Sequence, residues 1–404
     1  MASPDDIDVW IGLDIGKTGH AAWVLDGEGA ELFARAVAND EADLDGLLDR
    51  AAEHGTAALV VDQPGSLARL VLAVAGRRGT PVAYVPGLVM RRAADLYPGE
   101  AKTDRRDAYV LAETARTRRR QVHWLDASDD ELLEQLRVLN GYDADLAADA
   151  TRLSNRLRDA LTSVSPALER VLGPRLQQRG VRDLLARYGA PQALSAAGRG
   201  RIERTLRKRS PRSATALAAA VLEALDAQTV VVPAEATTGR VIAELAAELE
   251  RTLQRRARLE GELAKLFEAH PFGRILGTLP GVGPRTGSRI LAEIGDGAAF
   301  ADGSRLASYA GLAPVTRQSG SSLHGESRSR RGNRRLKNAM FLSAFASLRD
   351  PASRAFYDRK RAEGKKHNAA IICLARRRCD VILAMLHRRA PYRYRAPREM
   401  PAAA

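Results

Sequence analysis

Apolar residues recur at three- and four-residue spacing along residues 132–164, through Leu132, Leu136, Leu139, Leu146, Leu153 and Leu157. They recur again along 242–266, through Ile242, Leu245, Leu249, Leu259 and Leu263. Only a long amphipathic helix keeps such a series on one face, and that face must be buried against other helices. Charged flanks leave two ways of burying it, a coiled coil (within the chain or between chains) and an ordinary helical bundle. Asp143 breaks the first series, and the second carries Thr252 and Arg256. Between them, residues 198–212 (GRGRIERTLRKRSPR) form a basic segment that reads either as a nucleic-acid contact or as a solvated face.

The residues ahead of this region have a different pattern. Residues 9–14 (VWIGLD), 21–25, 32–37, 57–62 (AALVVD) and 82–85 read as strands, with a turn at Asp26-Gly27-Glu28-Gly29. Helices are expected over 41–54, from Ser66 and from Asp104. Three meandering strands followed by helix–strand alternation is the order of an RNase H-like α/β domain. The predicted fold is therefore α/β plus all-α. It comprises an α/β domain over 1–125, a helical coiled-coil region over 126–268 and a helical carboxy-terminal domain over 269–404.

Charge is distributed as unevenly as the fold signals. The 404 residues carry a formal charge of +14, which points to a polyanionic partner such as nucleic acid. Residues 1–63 nevertheless hold 14 acids against 3 bases, whereas residues 328–398 hold 21 bases against 4 acids. This suggests metal-binding chemistry at one end and phosphate binding at the other. Cys373 and Cys379 form neither a disulfide framework nor a zinc spacing. No signal segment and no membrane-spanning apolar run is evident, so a cytoplasmic, nucleoid-associated protein is expected.

Asp14 ends the first apolar strand, before Ile15-Gly16-Lys17, and Asp62 ends another, before Gln63-Pro64-Gly65. A carboxylate so placed projects into a cleft, and both face one site if the strands are neighbours. Asp104 and Asp107, three residues apart, share a helix face. Singly, each has a plain structural explanation: Asp14 as a turn cap, Asp104 as a first-turn acid after Thr103. Together they favour a site for magnesium, with manganese as a substitute, because hard cations take oxygen ligands. A pair of such ions can activate the attacking oxygen and stabilise the leaving oxygen of a phosphodiester.

With Gly12-Leu13-Asp14-Ile15-Gly16-Lys17, Asp62 and Lys102-Thr103-Asp104-Arg105-Arg106-Asp107-Ala108, the head resembles the RuvC-like domain of the DEDD insertion-sequence transposases. These are the IS110 family and its pilin-gene invertase relatives. The tail resembles the same family's carboxy-terminal transposase domain, through LPGVG at 279–283, YAGLAP at 309–314, Gln318-Ser319-Gly320 and RGNRRL at 331–336. The second acid of the family is usually glutamate. Asp62 offers the same oxygens on a shorter stem, which bears on whether it meets an ion directly or through water.

The resemblance implies a DNA transposase or recombinase in which a carboxy-terminal serine attacks DNA and forms a transient phosphoserine bond. Position before glycine selects Ser319, with Ser321 and Ser322 as rivals, and a flexible polar linker as the plain alternative. Arg317, Arg328, Arg330 and Arg331 would hold the phosphate, with Arg334 and Arg335 as further nucleic-acid contacts. The resemblance also implies a structured guide ("bridge") RNA that pairs with donor and target DNA. The coiled-coil signal adds a homo-oligomer, either dimer or tetramer.

Residues 276–294 read as helix, Gly-Val-Gly turn, helix. The backbone amides of Gly281 and Gly283 could bind phosphate as in a helix-hairpin-helix element, or the segment could be a plain interhelical turn. The last helices, with Arg376, Arg377 and Arg378, are the strongest electrostatic footprint for nucleic acid. The histidines show no metal-binding spacing, and His20 and His324 read as ordinary polar residues. Two other functions compete with strand exchange: a RuvC-type nuclease using water as the nucleophile, and a non-catalytic nucleic-acid scaffold.

Overall fold

The apolar run near the amino terminus is continuous rather than alternating because both faces of its strand, β1 (Val9–Ile15), are covered. The computed structural model describes residues 4–63, 66–97, 103–119, 122–125, 131–319, 323–329 and 331–393. In it, β1 joins β2 (Gly19–Asp26), β3 (Glu31–Ala38), β4 (Ala57–Val61), β5 (Val82–Tyr84) and β6 (His123–Leu125) in one sheet of order β3-β2-β1-β4-β5-β6. The first three strands pair antiparallel, β4 and β5 join β1 in parallel, and β6 closes the far edge antiparallel. The strands expected from the sequence are present. The short edge strand β6 is an addition, because three residues carry no readable alternation.

Helices α1 (Glu41–Ala52) and α2 (Arg69–Arg77) cover one face, where Val9, Ile11 and Leu13 meet Leu44, Leu47 and Val71. A short helix, α3 (Gly87–Ala94), leads towards α4 (Asp104–Thr117), which covers the other face. There Trp10, Ala58 and Val60 meet Leu111, Ala112 and Ala115. The approach of α4 to β1 is set by Gly12. A Cβ at that position would collide with the Ala108 carbonyl oxygen and lie 2.7 Å from the Ala112 amide nitrogen.

The chain divides into two compact units, residues 1–131 and 132–404. The second is mostly helical: α5 (Glu131–Val164), α6 (Pro166–Leu172), α7 (Arg179–Tyr188), α8 (Pro191–Arg207), α9 (Ala214–Asp226), α10 (Glu235–Ala269), α11 (Pro271–Gly277), α12 (Pro284–Ile294) and α13 (Gly303–Tyr309). A hairpin of β7 (Pro314–Ser319) and β8 (Leu323–Arg328) follows, then α14 (Arg334–Ala346), α15 (Pro351–Ala362) and α16 (His367–His387). Among the described residues no helix is long and apolar enough to cross a membrane.

The two long amphipathic series are α5 and α10, and each contributes to two cores within the chain. Leu153, Leu157 and Leu161 of α5 pack with Ile242, Leu245 and Leu249 of α10 and with α6 to α9. Leu136 and Leu146 of α5 pack instead with Leu259, Leu263 and Phe267 of α10, together with α11 to α14 and α16. The apolar faces are thus buried in helical clusters inside one chain.

The polar interruptions of the two series meet each other. Asp143 is 1% exposed. Its carboxylate accepts hydrogen bonds from Arg256 Nε at 3.0 Å and from the Arg256 and Arg289 terminal nitrogens at 3.3 Å. One turn earlier, Asn140 accepts from Ser288 Oγ at 3.3 Å, and its carbonyl accepts from Arg289 at 3.3 Å. This network joins α5, α10 and α12. Removing one member of a buried ion pair strands the other charges, at a cost of about 3–5 kcal/mol. Asp143→Ala is therefore expected to lower unfolding stability by roughly that amount in urea denaturation. A loss below about 1 kcal/mol would show that the network is not structural.

Candidate active site and the serine hairpin

The positions of Asp14 and Asp62 follow from strand parity. Side chains alternate along a strand, so Trp10, Gly12 and Asp14 of β1 face α4, as do Ala58 and Val60 of β4 and Asp62 just beyond it. The last parallel register pair is Leu13 with Val61, so Asp14 and Asp62 take the next step on adjacent strands. Gln63 Nε2 donates to the Ile15 carbonyl at 3.2 Å and ties these two strand ends together. Helix α4 begins at the same end of the sheet. Thr103 caps it, its Oγ1 accepting from the Arg106 amide at 3.2 Å, so Asp104 and Asp107 fall in the first turn.

Of the four aspartates, Asp62 and Asp107 are close enough for one charge to act on the other, and both are half-buried. Asp14 is half-buried beside them on β1, whereas Asp104 is exposed at the helix start. Arg106 anchors α4 from the other side, donating to the Tyr97 carbonyl at 2.8 Å and the Ala94 carbonyl at 3.3 Å. His20 is buried on the opposite face of the sheet, among Ala22 and Val24, and takes no part in this site.

Ser319 is the last residue of β7 and stands opposite Leu323 of β8. The stretch that reads as a serine loop is therefore a two-stranded hairpin, with Arg317 on β7 and Arg328 on β8. Gly320, Ser321, Ser322 and Arg330 lie outside the described residues. The base of the hairpin is pinned by Lys337, which the sequence reading passed over, and by Asn333 of the RGNRRL motif, to which it gave no role. Lys337 Nζ donates to the Gly311 carbonyl at 2.7 Å and the Ser329 carbonyl at 3.0 Å, holding both ends of the hairpin. Asn333 caps α14 and donates to the Tyr309 hydroxyl at 3.1 Å. An asparagine directly before a helical run was the readable signal. Arg331 is exposed just before that cap, and Arg334 and Arg335 are exposed in the first turn of α14.

The Gly-Val-Gly turn joins α11 to α12, and both of its glycines have local structural roles. Gly281 has φ +80, and a Cβ there would lie 2.6 Å from the Ser347 amide. The Gly283 amide donates to Thr286 Oγ1 at 3.1 Å. Arg378 departs from its expected role as surface charge. It is 4% exposed and donates to the Pro280 carbonyl and Ser343 Oγ, each at 2.7 Å, clamping the turn to α14. Burial lowers its guanidinium pKa to about 10, so it keeps its charge at neutral pH.

Comparison with known proteins gives two family matches in the same order as these structural parts. A DEDD-type transposase profile of IS110 covers residues 11–166, and the profile of the transposase IS116/IS110/IS902 family covers 273–358. The uncharacterized 43.6 kDa protein of insertion element IS110 from Streptomyces coelicolor is 49% identical over 399 residues, 98% of each chain. The chain belongs to the IS110 family of transposases. The 44.8 kDa protein of insertion element IS116 from Streptomyces clavuligerus is 40% identical over 94% of each chain. A pilin gene-inverting protein of Moraxella bovis is 36% identical over 121 residues, 29% of the transposase and 38% of that protein.

A DEDD-type domain places the transposase in a divalent-metal-dependent, nuclease-like class. The aspartates fit such an ion in chemistry, since every donor is a hard oxygen. Among the described residues, Asp62 Oδ1 is buried without a hydrogen-bond partner, a pairing that a cation would satisfy. Among the described residues, no three His, Cys, Asp or Glu side chains are grouped closely enough to hold an ion as they stand. Burial pushes the Asp62 carboxyl above its ordinary pKa, and the charge of Asp107 adds to the shift.

The folded state therefore binds the Asp62 proton more tightly than the unfolded chain does. Stability falls as pH rises from the ordinary carboxylate pKa through the raised one. Asp62→Asn is expected to raise Tm at neutral pH in metal-free buffer and to flatten the pH dependence. Added Mg2+ is expected to raise Tm of the parent and not of the variant. Scanning fluorimetry across pH checks both, and an Asn variant that melts below the parent at pH 7 would contradict this electrostatic account.

Proposed function

We propose that the transposase cleaves and exchanges DNA strands of an insertion sequence, with Ser319 as nucleophile and Asp14, Asp62, Asp104 and Asp107 holding Mg2+ or Mn2+. The observation that carries the metal assignment is the shared position of the four acids. Two lie at adjacent parallel strand ends on the α4 face, and two lie in the first turn of α4 itself. The strand order β3-β2-β1-β4-β5, antiparallel then parallel, supports a RuvC/RNase H-like reading of the first domain, residues 1–125. Residues 126–268 are then the helical region whose apolar faces pack within the chain, and 269–404 the carboxy-terminal transposase domain with its helix-hairpin-helix turn.

In this mechanism the Ser319 hydroxyl attacks a DNA phosphorus. One P–O bond forms to the serine as the bond to the leaving deoxyribose oxygen breaks, and the serine proton passes to that oxygen. A hydroxyl of a second strand then attacks the phosphoserine, releasing Ser319 and taking its place. The number of phosphodiester bonds is conserved, so no external energy source is needed. Magnesium, when bound, would polarise the phosphoryl oxygen and stabilise charge on the attacking and leaving oxygens. Arg317, Arg328, Arg330, Arg331, Arg334 and Arg335 are assigned to phosphate neutralisation, and the Gly281 and Gly283 turn to backbone contact.

The family resemblance implies a guide RNA that pairs with donor and target, and the net charge of +14 suits RNA and DNA equally. A homo-oligomer, dimer or tetramer, would supply the two strand-exchanging centres, acting on nucleoid DNA.

The test is to trap the protein on DNA bearing the element's ends and map the adduct by mass spectrometry. Ser319→Ala is expected to lose the adduct and strand exchange together. Asp14→Asn is expected to slow exchange by about a hundredfold or more. Retained cleavage in Ser319→Ala would favour a water-using nuclease, and unchanged activity in Asp14→Asn would favour a scaffold. Sequencing the copurifying RNA tests guidance, and finding only random fragments would remove the guide.

A further inference from the structure

Strands β7 and β8 pair with each other in a sheet of their own. A two-stranded hairpin has little stability by itself, so its direction is set where it joins the helices. The two chain segments that meet there cross backbone against backbone. A Cβ on Gly311 would collide with the Arg331 carbonyl oxygen, and one on Gly332 would lie 2.6 Å from Gly311 Cα. The Asn333 amide donates to the Tyr309 carbonyl at 2.7 Å across the same crossing. Asn333 Nδ2 donates to Glu293 Oε2 at 2.5 Å, which ties the crossing to α12.

Lys337 lies one turn beyond that cap on α14 and is half-buried. Its ammonium donates to the Gly311 carbonyl on the way into β7 and to the Ser329 carbonyl on the way out of β8. A charged donor makes each of these bonds stronger than a neutral one would. The glycine crossing and the Asn333 contacts hold the helices together without Lys337, whereas the hairpin loses the tether common to its two ends. From Pro314 to Ser319 the hairpin extends about 17 Å, at roughly 3.3 Å per residue. A swing of about 10° at the base carries Ser319 about 3 Å, while a misplacement of about 1 Å costs about a hundredfold in rate.

We propose that Lys337 is a positioning residue for strand exchange: by tethering both ends of the hairpin, it fixes where Ser319 meets the scissile phosphorus. The inference rests on the reading of Ser319 as the nucleophile.

The test follows covalent adduct formation by the full chain, in a single turnover, on DNA bearing the element's ends. Lys337→Met is expected to slow adduct formation at saturating DNA by about a hundredfold, with the half-saturating DNA concentration within about threefold of the parent. Lys337→Arg, whose guanidinium can also donate to two carbonyls, is expected to recover the rate to within about tenfold of the parent. Hydrogen exchange in peptides from 314–328 is expected to speed up in Lys337→Met, while peptides from 334–346 keep the parent's protection. A parent-like rate in Lys337→Met, or a loss carried by DNA affinity rather than by the saturated rate, overturns the proposal. So does lost protection throughout α14, or an arginine variant no faster than the methionine one. An adduct mapped to a residue other than Ser319 removes the nucleophile reading, whereas unchanged hairpin exchange in Lys337→Met removes the tether, so the two failures are distinguishable.

Discussion

A helix can lie with its backbone against a strand only where the strand presents no side chain, and on β1 that place is Gly12. The rest of the acidic site depends on this approach. It brings the first turn of α4 alongside Asp14 and lets Asp107 act electrostatically on Asp62. Any larger residue at position 12 would push α4 outward and separate the acids of the helix from those of the strands. The same closeness has a cost, because it half-buries Asp62 beside a like charge. A carboxylate held above its ordinary pKa is poorly suited to stabilising a fold and well suited to receiving a cation.

The helical unit is held by buried polar contacts as well as apolar packing. Asp143, Arg256 and Arg289 fix α5, α10 and α12 in register, since each charge requires the others to remain paired. Arg378 does the same for the glycine turn and α14, and Lys337 for the two ends of the serine hairpin.

Much of this was legible in the sequence where the signal is local. The apolar runs ending in Asp14 and Asp62, the Thr103 cap and the heptad spacing all reported strands or helices correctly, because side-chain period and capping act within a few residues. The hairpin at 314–328 was not legible. Its Arg-, Ser- and Gly-rich strands lack the apolar alternation that marks a strand with one buried face. Arg378 was misread for a related reason: three consecutive arginines look equivalent in a sequence, while on a helix they point in directions 100° apart.

The sequence alone determined the order of elements, the placement of aspartates at strand and helix ends, and the family motifs that place the chain among IS110 transposases. Each depends on residues near one another in the chain. Only the tertiary structure decided that Asp14 and Asp62 stand on neighbouring parallel strands facing α4. It alone showed that Asp143 answers Arg256 across 113 positions, and that Lys337 bridges both ends of the serine hairpin. Those facts depend on strand order, helix packing and burial, which bring together residues whose separation along the chain carries no trace of their contact.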